Sequence, residues 1–184
     1  MAGKHFVSLG DFYTDSVLLA KKIKASGFRP DYLVGLWRGG AFPGCIVQEA
    51  LDFWGIPTDH IAIRTSGYNR EDKHKAKVDI FGLSYITKRV KKDDKILIVD
   101  DVFDTGLSIK ALIEKLKADS GENCPKEIKT AMLYYKPENN ETSITPDYYI
   151  HETGKWLVFP HEFKGLTKEE IESGKGQSVL RMLF

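Results

Sequence analysis

Three aspartates follow an apolar run within a few positions, and their spacing suits a ligand that carries both phosphate and hydroxyl groups. The segment reads ILIVDDVFDTGLS over residues 96–108, and its acids are Asp100, Asp101 and Asp104. Residues 105–108 open a predicted helix, whose unpaired N–H groups and dipole favour a phosphate. Carboxylates beside such a site are tolerated when they bind sugar hydroxyls or a divalent cation. The pattern therefore predicts a phosphorylated sugar bound together with a metal.

The same residues also have ordinary structural explanations. Asp104 taken alone can cap a helix, and Asp100 and Asp101 can occupy a solvated strand end. The complete run, with its glycine and its hydroxyl groups in place, favours the ligand site over this alternative.

Strands and helices alternate along the chain, and this order would bring such motifs to one edge of a sheet. Apolar runs predict strands at residues 31–37, 60–65, 96–100, 128–136, 147–152 and 156–160. Helical spacing and end signals predict helices at residues 14–27, 43–54 and 108–118, and a capping box at 167–170. We therefore expect an α/β fold with a mainly parallel sheet flanked by helices. In such folds ligands bind at the carboxyl ends of the strands.

Length and composition narrow the class of protein. The chain has 184 residues, a length that predicts a single domain over 1–184. Its formal net charge of +1 gives no general attraction for nucleic acid or a membrane, so we expect neither as a partner. Cys45 and Cys124 lie far apart without metal-ligand spacing, so we expect reduced thiols. No leader or membrane-spanning run is apparent, which favours a soluble cytoplasmic protein.

The segment ILIVDDVFDTGLS resembles the signature of the type I phosphoribosyltransferases, in which an apolar strand precedes two acids and an Asp-Thr-Gly-x-Ser/Thr turn. The resemblance implies that family's fold, with a small hood over the base site from about residues 136–165. It also implies binding of 5-phosphoribosyl-1-pyrophosphate (PRPP) with Mg²⁺. Response-regulator receivers share the paired acids but need a further aspartate at the end of a later strand. Here that strand ends in LYYK, which excludes them.

The resemblance implies that the residues of the motif bind PRPP, Asp104 among them, and that Asp104 also acts on the purine. Asp100 and Asp101 would hold the ribose hydroxyls and the metal, and Asp104 would accept the purine N7 proton as general base. Glu162 is a further candidate for a second magnesium, through water. The 5′-phosphate would be bound by Thr105, Gly106, Leu107 and Ser108. Leu107 replaces a glycine of many purine-specific members, a small departure because backbone N–H groups act there.

An earlier loop, GLWRGGAFPG over residues 35–44, resembles the pyrophosphate-binding loop of the family. Arg38 would supply positive charge, and Gly39 would allow backbone N–H groups to approach phosphate oxygens. The family often has a cis peptide here, which in this chain would join Trp37 to Arg38. An ordinary turn is the alternative.

A polar, charged segment over residues 66–77 occupies the place of the family's lid, which closes over PRPP and excludes water. Ser66, Gly67 and Tyr68 would form its start. A solvated surface loop is the alternative explanation.

Two later segments bear on the base. Lys136 begins a Lys-Pro pair, and in 6-oxopurine enzymes the matching lysine donates to the 6-oxo oxygen. Trp156 matches the aromatic residue that stacks on the base, and the carbonyl of Leu157 would accept from a 2-amino group. A core position is the alternative for Trp156. His161 stands where xanthine-guanine enzymes have tryptophan, which leaves the preferred oxopurine open.

Together these residues predict a magnesium-dependent enzyme that transfers the phosphoribosyl group of PRPP to guanine, xanthine or hypoxanthine. The products would be the nucleoside 5′-monophosphate and pyrophosphate. Two alternatives remain: a transferase for another nucleobase, and a non-catalytic regulator of the same fold that senses PRPP or nucleotides. The predicted partners are these small molecules, and the expected assembly is a homodimer or homotetramer.

Overall fold

Apolar strands and amphipathic helices alternate in the computed structural model, which describes residues 3–65 and 78–184. The strands are β1 Lys4–Phe6, β2 Tyr32–Trp37, β3 Asp59–Thr65, β4 Ile80–Phe81, β5 Lys95–Phe103, β6 Glu127–Tyr135, β7 Tyr148–Glu152 and β8 Trp156–Val158. The helices are α1 Leu9–Ala25, α2 Ala41–Phe53, α3 Ser84–Thr87, α4 Leu107–Ser120, α5 Lys168–Lys175 and α6 Gln177–Leu183. The predicted α/β fold with a mainly parallel sheet is confirmed.

The main sheet has the order β4-β3-β2-β5-β6-β7 within the described residues. Its neighbours are parallel except for the antiparallel pair of β3 and β4. Strand β5 is central, and Ile96, Leu97, Ile98 and Val99 are all fully buried because helices cover both faces. The carboxyl ends of β2, β5 and β6 therefore lie side by side, and the segments that follow them meet at one edge.

A second, two-stranded sheet pairs β1 with β8. The sequence predicted β8 as a strand, but β1 has only three residues and was not predicted. This small sheet falls partly within the predicted hood, whose position over a bound base stays a prediction.

Two boundaries differ from the predicted ones in ways that matter for the site. Strand β5 continues to Phe103, whereas the predicted strand ended at Asp100, so Asp101 also lies within the strand. The reason is its pairing with β6, which extends to Phe103 and Tyr135. Helix α1 begins at Leu9, because the Ser8 hydroxyl accepts a hydrogen bond from the Asp11 N–H at 3.0 Å.

None of the helices in the described ranges is long and apolar enough to cross a membrane. The predicted capping box is present at α5, where the Thr167 hydroxyl and the Glu170 carboxylate each accept from the other residue's backbone N–H.

Candidate functional site

The loop after β2 packs its backbone directly against the acids of β5. A Cβ atom on Gly39 would lie 2.4 Å from the Asp101 carboxyl carbon, and one on Gly40 would lie 2.1 Å from the Val99 carbonyl oxygen. At Gly40 a side chain would collide with backbone, and at Gly39 it would require the Asp101 carboxylate or the loop to move. The peptide between Trp37 and Arg38 is cis, as the resemblance implies. The predicted pyrophosphate loop and the acidic pair therefore form one continuous surface.

Asp100 and Asp101 form a pair of carboxyl groups at the end of the central strand. Asp101 is 7% exposed, and its N–H donates to Asp100 Oδ1 at 3.0 Å. Burial and the neighbouring Asp101 raise the pKa of Asp100 well above its ordinary value. Burial, followed by the charge of Glu162, raises the pKa of Asp101 to about 7. The protein thus keeps two acids where their negative charge is disfavoured.

This donor set fits magnesium that takes its remaining ligands from a substrate. Among residues 3–65 and 78–184, no cluster of three or more His, Cys, Asp or Glu side chains forms a metal site by itself. Mg²⁺ commonly binds through one or two carboxylates together with substrate phosphates and water. A cation near Asp100 and Asp101 would also favour their ionised forms.

Replacing Asp101 by asparagine should change how the stability of the free protein depends on pH. Between pH 3.8 and about 7 the unfolded chain has released a proton that folded Asp101 still holds. The free energy of unfolding of the wild type therefore falls as pH rises through this window and levels off above it. The asparagine side chain does not titrate, so the advantage of the variant in melting temperature should grow across the window. Parallel curves of melting temperature against pH would contradict this prediction.

The turn before α4, at residues 105–108, combines features that would suit a phosphate. Gly106 has φ of 77° and caps the helix without a side-chain hydrogen bond. The Leu107 N–H has only a long contact to the Thr105 hydroxyl, at 3.4 Å. A cavity of about 90 Å³ opens here, lined among others by Asp104 and Ser108. Backbone donors, hydroxyl groups and the helix dipole therefore point to one small space.

Asp104 lies between two donors that arrive from the end of β6. The Asn139 side-chain amide donates to Asp104 Oδ1 at 2.6 Å, and Lys136 Nζ lies 3.4 Å from Oδ2. Lys136 is 8% exposed, and its N–H donates to the Phe103 carbonyl at 2.9 Å. A cationic donor and a carboxylate acceptor are thus held side by side, next to the turn at residues 105–108.

The predicted base-binding residues of β8 differ in exposure. Trp156 is 60% exposed, which contradicts the alternative of a core tryptophan, whereas the Leu157 side chain is buried. Glu162 accepts a hydrogen bond from the Phe159 N–H at 2.9 Å. Its role near a second magnesium stays a prediction. Ser66, Gly67 and Tyr68, the predicted start of the lid, lie outside the described residues.

Sequence reasoning missed two contacts of the site. It did not identify Asn139, although this residue stands three positions after Lys136 in the same YYKPEN segment. It also treated His161 only as a departure from the family pattern. In the structure, His161 Nε2 lies 3.4 Å from Asp101 Oδ2, and burial lowers the pKa of the ring. No spacing rule links residue 161 to residue 101.

Comparison with known proteins identifies the class to which this fold and site belong. The sequence matches the phosphoribosyl transferase domain over residues 12–166, so the chain belongs to the phosphoribosyltransferase family. The resemblance drawn from the sequence is thereby confirmed.

Several solved structures are similar to this chain. It is 31% identical to a purine phosphoribosyltransferase from Pyrococcus horikoshii, with a TM-score of 0.68 over 89% of this chain and 97% of that one. A xanthine-guanine-hypoxanthine phosphoribosyltransferase from Helicobacter pylori is 22% identical, with a TM-score of 0.63 over 85% and 92%. A hypothetical protein from Neisseria gonorrhoeae with bound ppGpp is 17% identical, with a TM-score of 0.70 over 90% and 92%. The latter two show similarity of fold.

Proposed function

We propose that this protein transfers the 5-phosphoribosyl group of PRPP to a 6-oxopurine. The observation that carries the proposal is the pair formed by Lys136 Nζ and Asp104 Oδ2, 3.4 Å apart. The 6-oxo oxygen and N7 lie next to each other on one edge of an oxopurine. Lys136 would donate to the oxygen while Asp104 accepts the proton of N7. Adenine carries an amino group in place of the oxygen and would set donor against donor.

The remaining residues would each bind a different part of PRPP. The turn at Thr105 and Ser108 would bind the 5′-phosphate, and Asp100 and Asp101 would bind the ribose hydroxyls and Mg²⁺. Arg38, which is exposed, and the backbone at Gly39 would bind the pyrophosphate. Bound magnesium would supply a Lewis acid for the charge of the leaving pyrophosphate.

The reaction would proceed by displacement at C1 of the ribose. Positive charge develops on the sugar as pyrophosphate departs, as in glycoside cleavage. Asp104 would take the N7 proton as the purine nitrogen bonds to C1, and Lys136 with Trp156 would orient the ring. The exposed face of Trp156 is available for stacking on the base. The products are the nucleoside 5′-monophosphate and pyrophosphate.

The proposed function also bears on the partners, the assembly and the cellular location of the protein. Its substrates would be small molecules, because a net charge of +1 gives no general attraction for nucleic acid or anionic membrane. A homodimer or homotetramer in the cytoplasm is the proposed state. Large apolar side chains exposed on α1 and α2 support self-association: Tyr13, Leu18, Phe42 and Phe53.

Lys136→Met tests the assignment of the base. The substitution removes a charged donor to the 6-oxo oxygen, and such a hydrogen bond is worth about 1.5–3 kcal/mol. We expect kcat/KM for hypoxanthine and guanine to fall roughly 10- to 200-fold. The ratio of kcat/KM for these oxopurines to kcat/KM for adenine should fall by a similar factor. Lys117→Met, on the exposed side of α4, is the matched control and should behave as the wild type. Unchanged discrimination in Lys136→Met would contradict the oxopurine assignment.

A further inference from the structure

Helix α5 lies beyond residues 12–166, the part of the chain that matches the family, yet it packs against the small sheet beside the candidate site. Lys4 Nζ of β1 lies 2.7 Å from the Glu170 carboxylate. The Phe6 ring lies so close to Gly174 that a Cβ there would be 2.1 Å from it. Ile171 is 4% exposed. The helix is therefore fixed on β1, and through β1 on β8.

Lys175, the last residue of α5, reaches the turn that follows β8, which comprises residues 159–162. Its ammonium group donates a hydrogen bond to the Phe159 carbonyl. The same carbonyl accepts from the Glu162 N–H at 3.0 Å, and the Phe159 N–H donates to the Glu162 carboxylate at 2.9 Å. Both backbone polar groups of Phe159 are thus held, and Lys175 is the one contributor from outside the turn among these contacts.

This turn places His161 against the acidic pair. The His161 ring lies parallel to the Phe159 ring, with 5.8 Å between centroids and 2° between planes. The Phe12 ring contacts the His161 ring edge-on, with 6.0 Å between centroids. Nδ1 of His161 is buried without a hydrogen-bond partner among the described residues, whereas Nε2 faces Asp101 at 3.4 Å. Ring packing on Phe159 therefore sets the orientation of His161.

We infer that Lys175 is a positioning residue of the PRPP site, because it fixes the 159–162 turn and thereby holds His161 against Asp101. The inference rests on the proposed function. The contacts run without interruption from Lys175 to the Phe159 carbonyl, from the Phe159 ring to His161, and from His161 to Asp101. A helix outside the family match thus contributes to the binding of PRPP.

A set of lysine variants tests this role. Lys175→Met should raise the KM for PRPP and weaken calorimetric binding of Mg-PRPP by roughly 10- to 100-fold, the usual effect of losing a group that orients a ligand-binding residue. The change in kcat should be smaller. Lys175→Arg keeps a cationic donor and should restore most of the affinity. Lys168→Met is the control, since this residue of the same helix is exposed and its ammonium lies over the Phe184 ring at 4.2 Å.

His161→Ala should weaken PRPP binding as well, and the double variant with Lys175→Met should lose less than the sum of the two. If Lys175→Met does not fold, Lys175→Gln replaces it under the same criteria. Wild-type KM and affinity for PRPP in the folded Lys175 variant, or additive losses in the double variant, would overturn the inference. A wild-type protein that binds PRPP but forms no nucleotide would instead overturn the proposed function, so the two failures are distinguishable.

Discussion

Asp104→Asn is expected to lower kcat by about 10²- to 10⁴-fold, the usual contribution of a general base. The Asp104 carboxylate accepts a hydrogen bond from the Asn139 amide at 2.6 Å and pairs with the Lys136 ammonium at 3.4 Å. An asparagine keeps one acceptor oxygen and places an NH₂ group where the other oxygen accepted from a donor. It also cannot take the N7 proton. The affinity for PRPP should change little, because neither of these two contacts involves the phosphate turn or the acidic pair.

The two effects are separated by measuring kcat at saturating substrates and, independently, PRPP binding by calorimetry. Asp119→Asn is the matched control, since this aspartate pairs with Lys115 at 2.9 Å on the surface of α4. A variant at position 104 that turned over at the wild-type rate would exclude Asp104 as the base. A variant that lost PRPP binding would show that the residue acts on the ribose side.

Gly39→Ala should abolish most activity while the fold persists. The added methyl group would lie 2.4 to 2.5 Å from all three carboxyl atoms of Asp101, so either the carboxylate must rotate or the loop must withdraw. Both responses displace groups that bind PRPP. A displacement of about 1 Å in such a site can cost roughly 10²-fold in rate, and we expect at least that loss in kcat/KM for PRPP.

Gly10→Ala provides the comparison for this substitution. Its Cβ would meet nothing nearer than the Ser8 hydroxyl at 3.8 Å, and alanine is the better helix former within α1. Activity of Gly10→Ala should equal that of the wild type. If Gly39→Ala matched it in kcat/KM for PRPP, the contact between the loop and Asp101 would have no part in binding.

Local sequence patterns were sufficient to predict the acidic motif and most of the elements around it. The apolar run at 96–99 requires burial on both faces, which in a chain of alternating strands and helices indicates a central parallel strand. Gly106 and the hydroxyl residues beside it indicate a helix start. These signals are local. The order of strands in the sheet then brings the segments that follow β2, β5 and β6 together at one edge.

The missed features depend on contacts that are distant in sequence. The central strand continues past its predicted end at Asp100 and includes Asp101 because β6 pairs with β5 as far as Phe103. The three residues of β1 form a strand only because β8 lies beside them. His161 and Lys175 acquire their positions through Phe159, and no periodicity in the sequence expresses such a chain of contacts. Asn139 was the exception, since its place three residues after Lys136 on a turn could have suggested the contact with Asp104.

The most direct test of the account is product formation by the purified protein supplied with PRPP and Mg²⁺. Guanine, xanthine, hypoxanthine and adenine would be offered separately, and the nucleoside 5′-monophosphate and pyrophosphate would both be measured. We expect the two products to appear in equal amounts with at least one 6-oxopurine, at a kcat/KM well above that for adenine. Failure to release pyrophosphate with any of the four bases would contradict it, and so would a preference for adenine.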